Sequence, residues 1–130
     1  MGILVCGSRV PHKHPRRPPF GALGWATWRT GRLTALQAPR EGAFALWPVK
    51  FKGRTVHLNF KTSPAGYVKV EASYEGAQGR TFEECDRLCG DHLDRVVTWK
   101  GQSDIGHAEG SPVALRFRLR SAELYSVRFE

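Results

Sequence analysis

The chain has 130 residues, of which 41% are hydrophobic and 25% charged, and its formal net charge is +8. That composition is globular and excludes a disordered tail, and no apolar run approaches the ~20 residues that cross a bilayer. Half of the positive excess sits in residues 1–20, where Arg9, Lys13, Arg16 and Arg17 stand without an acid, so the remaining body is only mildly basic.

The opening MGILVCGSRV holds an apolar stretch too short for the core of a secretory signal, so no export signal and no membrane segment is expected. Prolines at 11, 15, 18 and 19 remove backbone donors and enforce extended geometry. Residues 1–19 therefore read as a flexible basic arm, with 20–130 as one domain. His12 and His14 on that arm read as solvated rather than as metal ligands.

From Phe20 the texture changes. FGALGWATWRT reads as a strand, Gly31 as a turn, and LTALQA as a short strand. AFALWPVKF would place Ala43, Ala45, Trp47, Val49 and Phe51 on one inward face, and Pro48 inside it indicates an edge position or a bulge. TVHLNFKT and YVKVEASYE alternate cleanly, with Val56, Leu58, Phe60, Val68, Val70, Ala72 and Tyr74 inward. Ser63, Pro64, Ala65 and Gly66 between them predict a hairpin turn.

Helical spacing is confined to TFEECDRLCGDHLD, where Thr81 can cap a single turn with Glu84 three residues on. DRVVTWK reads as a strand with Trp99 in the core, sharing its face with Val97 and Arg95. Residues 112–129 read as two strands joined by a tight polar connection. Val113, Leu115, Phe117 and Leu119 face inward in the first, and Tyr125, Val127 and Phe129 in the second. About eight short strands with almost no helix predict an all-β, antiparallel, jelly-roll-like β-sandwich with at most one short helical turn.

Three cysteines, Cys6, Cys85 and Cys89, do not make a disulfide framework, and Cys85 and Cys89 read as small buried or half-buried thiols. Glu83, Glu84, Asp86, Asp91 and Asp94 crowd one segment. Such an acidic stretch reads as solvated, or paired with Arg87 and Arg95, rather than as a catalytic carboxylate pair. No nucleophile signature flanks any Ser, His or Cys, so the chain reads as non-enzymatic.

A series of positions in the second half resembles a known region. It runs G-x-V-x-V-E from Gly66 to Glu71, E-x-C-D from Glu83 to Asp86, Gly90-Asp91, R-V-V-T-W-K-G from Arg95 to Gly101, S-D-I, S-P-V-A-L-R-F and A-E-L-Y-S-V-R-F. Together these resemble the C-terminal β-sandwich accessory domain of large bacterial glycoside-hydrolase-like or sialidase-like β-propeller proteins. The likeness covers roughly residues 20–129, and the stretch before Phe20 departs from it. It implies an accessory module of carbohydrate-active ancestry, without the propeller that would carry chemistry.

Sugar binding calls for exposed aromatic rings with polar groups beside them, which makes Trp25 and Trp28, with Asp86 and Asp91, the candidate glycan residues. If their strand is regular, Trp25 and Trp28 lie on opposite faces, so at most one is buried. No cofactor is expected, although Asp86, Asp91 and Asp104 are oxygen ligands of the type a structural Ca²⁺ takes. Arg116, Arg118 and Arg120 form a basic stripe on one strand face. The reading is thus a non-catalytic module for weak glycan binding or docking onto a parent-enzyme domain. The alternatives are a basic nucleic-acid-binding module and a structural domain that associates with its own copies.

Overall fold

Two units make up the chain, Met1–Leu33 and Thr34–Glu130. The structure is a computed structural model, and it describes residues 1–8 and 21–130. In the first unit, β1 (Gly2–Ser8) pairs antiparallel with β2 (Gly21–Thr27) from Gly2↔Thr27 to Ser8↔Gly21. The Trp28 amide donates to the Met1 carbonyl at 3.0 Å and extends that ladder by one residue. The flexible arm expected over residues 1–19 is corrected on this point: Gly2–Ser8 is strand, and the unit boundary falls after Leu33 rather than after Pro19. The physical reason is that Gly2–Ser8 contains no proline, so every backbone donor remains for pairing. The four prolines of the arm, with His12 and His14, lie outside the described residues.

The second unit is a four-stranded sheet in the order β3-β6-β4-β5, with β3 at Leu36–Val49, β4 at Val56–Ser73, β5 at Asp91–Val96 and β6 at Val113–Phe129. All pairings are antiparallel and no helix occurs among the described residues. The architecture is all-β and of the β-sandwich class. The short turn expected at Thr81 is present, with the Cys85 amide donating to the Thr81 carbonyl at 3.0 Å. No helix among the described residues is long and apolar enough to cross a membrane.

Six strands stand among the described residues where the sequence predicts about eight, because three apparent strand pairs are single long strands with a break inside each. Ser63, Pro64, Ala65 and Gly66 do not turn a hairpin. They bulge out of β4, so that Thr62 pairs with Ala122 and Tyr67 with Arg120, four residues opposite Ser121 alone. Ser121, at φ 43°, is the matching kink of β6, so the expected connection within residues 112–129 is a bend in one strand. In β3, Pro39 and Arg40 form a third break between Ala38 and Glu41. Both halves of β4 and of β6 feed one core: Val56, Leu58, Phe60, Val68, Val70 and Ala72 meet Leu115, Phe117, Leu119, Ala122 and Leu124.

Pro48 lies where its chemistry demands, on the edge strand β3 and inside a register break between Leu46 and Val49. The same break inverts the inward face expected for this stretch. Phe44 and Leu46 pack on the core, Phe44 stacking on Phe117 at 4.7 Å, while Ala43, Ala45 and Trp47 face solvent. One extra residue flips the alternation, so Val49 and Phe51 turn inward again beyond it. A bulge beside Tyr125 does the same in β6, burying Leu124, which the alternation assigned outward.

Trp99 is buried as expected, its indole donating to the Val70 carbonyl at 3.0 Å. Val97 is buried with it, whereas Arg95 is exposed on β5. Cys85 is buried, and its sulfur accepts the Val70 amide at 3.2 Å, with burial pushing the thiol pKa up. Cys89 is exposed, which corrects its reading as a covered thiol, and all three cysteines are free.

Candidate functional site

Where β3, β6 and β4 run side by side, the face opposite the core gathers the basic stripe. Register sets Arg116 between Ala45 and Glu71, Arg118 between Ala43 and Lys69, and Arg120 between Glu41 and Tyr67. Alternation is the cause: Leu115, Phe117 and Leu119 are drawn into the core, so the arginines between them point out. The alanines of β3 are too short to cover the guanidinium groups. At the edge of this face stands Trp47, 90% exposed.

The three arginines are held in different ways. Arg116 pairs with Glu71 at 2.8 Å and Arg120 with Glu41 at 3.6 Å. Arg118 instead lies over the ring of Phe82, 4.2 Å from its centroid. Phe82 is buried yet stands outside the core cluster, and Lys69 donates to its carbonyl at 2.8 Å. Arg87 lies 4.8 Å from the ring of Tyr67.

The candidate glycan residues do not assemble into one group within a unit. Trp25 on β2 is exposed and Trp28 just beyond it is half-buried, both in the first unit. Asp86 and Asp91 belong to the second. Asp86 accepts the Thr98 hydroxyl at 2.5 Å and the Gly101 amide at 2.9 Å, and these bonds hold its pKa below the usual carboxylate range. Asp91 opens β5 opposite Lys61. Asp104 is held by Arg54 at 2.7 Å and by the Gly106 amide, and its pKa is likewise lowered. No group of three His, Cys, Asp or Glu side chains among the described residues is placed to hold a metal ion. Trp47 is the aromatic residue that the alternation count missed, and the signal that could have found it is Pro48, which marks the bulge.

The acidic segment finds partners other than those expected. Glu84 pairs with Lys100 at 2.8 Å, and Asp94 with Arg128 at 2.7 Å, rather than Arg87 or Arg95 serving as counter-charges. Asp94 also meets His57 Nδ1 at 3.0 Å, and His57 Nε2 lies 3.1 Å from the Thr55 hydroxyl and 3.4 Å from Glu130. Arg128 closes the ring onto Glu130 at 2.7 Å. For Asp94, desolvation pushes upward, yet the bonds from Arg128 and His57 outweigh it and lower the pKa.

Carboxylate, imidazole and hydroxyl in that order are the components of a nucleophilic relay. Here, however, the Thr55 hydroxyl donates to the Glu130 carbonyl at 2.9 Å, so its proton is directed away from the imidazole. The ring acts as a cross-strand tie among β4, β5 and β6. A separate cavity of about 290 Å³ opens at the β4 bulge, lined by Gln37, Lys61, Thr62, Ser63 and Glu123 among others.

Compared with family models, with curated proteins and with solved structures, the chain matches none.

Proposed function

We propose that the protein is a non-catalytic binding module of carbohydrate-active ancestry, and that it takes a glycan along the outer face of β3, β6 and β4. The observation that carries this reading is Trp47: an indole left 90% in solvent beside a row of arginines is the pairing that stacks a pyranose and bonds its hydroxyls. An exposed strand face favours weak binding or docking against a parent domain over a buried reaction. Trp25 offers a second exposed ring, in the first unit. Binding assays across plant, bacterial and host polysaccharides test this, and a blank result with all of them removes the glycan reading.

Two observations favour other readings. The net charge and the arginine row favour a nucleic-acid ligand, which requires an affinity that falls steeply with added salt. The antiparallel pair of uncharged strands β1 and β2, with Ile3, Leu4, Val5, Leu23 and Trp25 exposed, favours association with a second copy. Light scattering at high concentration decides the latter, since a strict monomer contradicts it.

A further inference from the structure

Arg118 differs from its two neighbours in the row. Arg116 and Arg120 each face a glutamate across the strand pair, whereas among the described residues no carboxylate pairs with Arg118. Its guanidinium lies over the Phe82 ring, and among the described residues no protein acceptor takes a hydrogen bond from it. Lys69, its cross-strand partner, adds a second positive charge at the same register position. A planar cation set against a ring, with open donors, suits a planar anion that accepts two parallel bonds.

The spacing of charge on this face then separates the anions it can take. Glu71 and Glu41 flank the open position on either side, attached to Arg116 and Arg120. A phosphate backbone, charged at every nucleotide, would press against both glutamates. A sugar polymer in which a uronate alternates with uncharged rings would not, and Trp47, two outward positions beyond Ala43 along β3, offers an apolar platform for a ring farther along that polymer. We propose that Arg118, with Lys69 beside it, receives the carboxylate of a uronate-bearing glycan; this rests on the glycan reading above.

A hyaluronan oligosaccharide, in which glucuronate alternates with an uncharged sugar, and its carboxyl-reduced, neutral counterpart are titrated calorimetrically into the full chain and into Arg118→Met, which keeps an apolar cover over Phe82 but has no donors. A sulfated oligosaccharide and a single-stranded oligonucleotide complete the set. The expected result is that carboxyl reduction and Arg118→Met each weaken binding by about tenfold or more, with Arg118→Lys falling between. Equal binding of the charged and neutral oligomers, unchanged in Arg118→Met, overturns the carboxylate site and leaves the glycan reading standing. Binding of no oligosaccharide ends both. A preference for the sulfated oligomer or for the oligonucleotide overturns the inference in favour of that ligand. Thermal melting of each variant confirms that the fold is retained.

Discussion

Gly66 of β4 approaches Ser121 of β6 so closely that a Cβ on the glycine would lie 2.5 Å from the Ser121 carbonyl oxygen and 2.6 Å from that of Arg120. Both obstacles are backbone, so neither can swing aside. Gly66→Ala is expected to cost about 1–3 kcal/mol, read as a lower denaturation midpoint. A neutral effect would mean that the bulge of residues 63–66 is not packed against the kink of β6 as described.

Trp99 supplies a second test of the core. Its ring is buried and its indole N–H is committed to the Val70 carbonyl. Trp99→Phe removes that bond and part of the ring volume, with an expected loss of roughly 1–3 kcal/mol. Urea unfolding of the two proteins gives the comparison, and an unchanged midpoint contradicts the placement.

His107 is expected to behave in the opposite sense. It is buried against Phe51, ring centroids 4.7 Å apart, and among the described residues neither ring nitrogen has a hydrogen-bond partner. A polar ring kept from water without a partner costs more than an apolar one of similar size. His107→Leu should therefore leave stability unchanged or raise it by up to about 1 kcal/mol at neutral pH. A marked loss would show that the imidazole makes a bond that the packing does not reveal.

Acid should weaken the fold through a specific set of carboxylates. Asp86, Asp94 and Asp104 are lowered from 3.8, and Glu84 from 4.5, chiefly through bonds from Thr98, Arg128 and His57, Arg54, and Lys100 respectively. A carboxyl group with a folded-state pKa below its unfolded value contributes stability above the unfolded pKa, and that contribution disappears as pH falls through the folded one. The unfolding midpoint is expected to decline from about pH 4.5 downward, with a shallower slope in Asp104→Asn. A midpoint that rises toward acid would contradict these pairings.

The inward residues of β4 and of the first half of β6 were legible in the sequence, because a two-residue period over six or more positions is set by local chemistry alone. Val56, Leu58, Phe60, Val68, Val70, Ala72, Val113, Leu115, Phe117 and Leu119 all face the core as the alternation predicts. The connections were not legible. Ser63, Pro64, Ala65 and Gly66 can turn a hairpin or bulge out of a strand with the same backbone preferences. The choice belongs to β6, which pairs continuously with both halves and lies more than forty residues downstream.

The same limit applied to the candidate face. Arg116, Arg118 and Arg120 could be placed on one side of a strand from their spacing. That Arg118 rests on Phe82, and that Glu41 and Glu71 bracket it, depends on strand order and on a loop, residues 80–88, that hydrogen-bonds alongside the second half of β4. Trp47 was assigned to the wrong face because its own bulge inverts the count at Pro48. Trp25 and Asp86 were grouped by residue type, and the chain distributes them to separate units.

Trp47→Ala separates stability from binding. A side chain this exposed contributes little to the folded state, so the melting temperature should stay within about 1–2 °C of the parent. Binding of an oligosaccharide to the outer face should fall with it. A large drop in melting temperature would place the indole in a packing role instead.

The location of the ligand decides the account most directly. Amide and indole resonances of the ¹⁵N-labelled protein, followed during titration with the hyaluronan oligosaccharide, are expected to shift at Ala43, Ala45, Trp47, Arg116 and Arg118, along one side of β3 and β6. Resonances that stay fixed there, or shifts gathered instead around Thr55, His57 and Asp94, would contradict it.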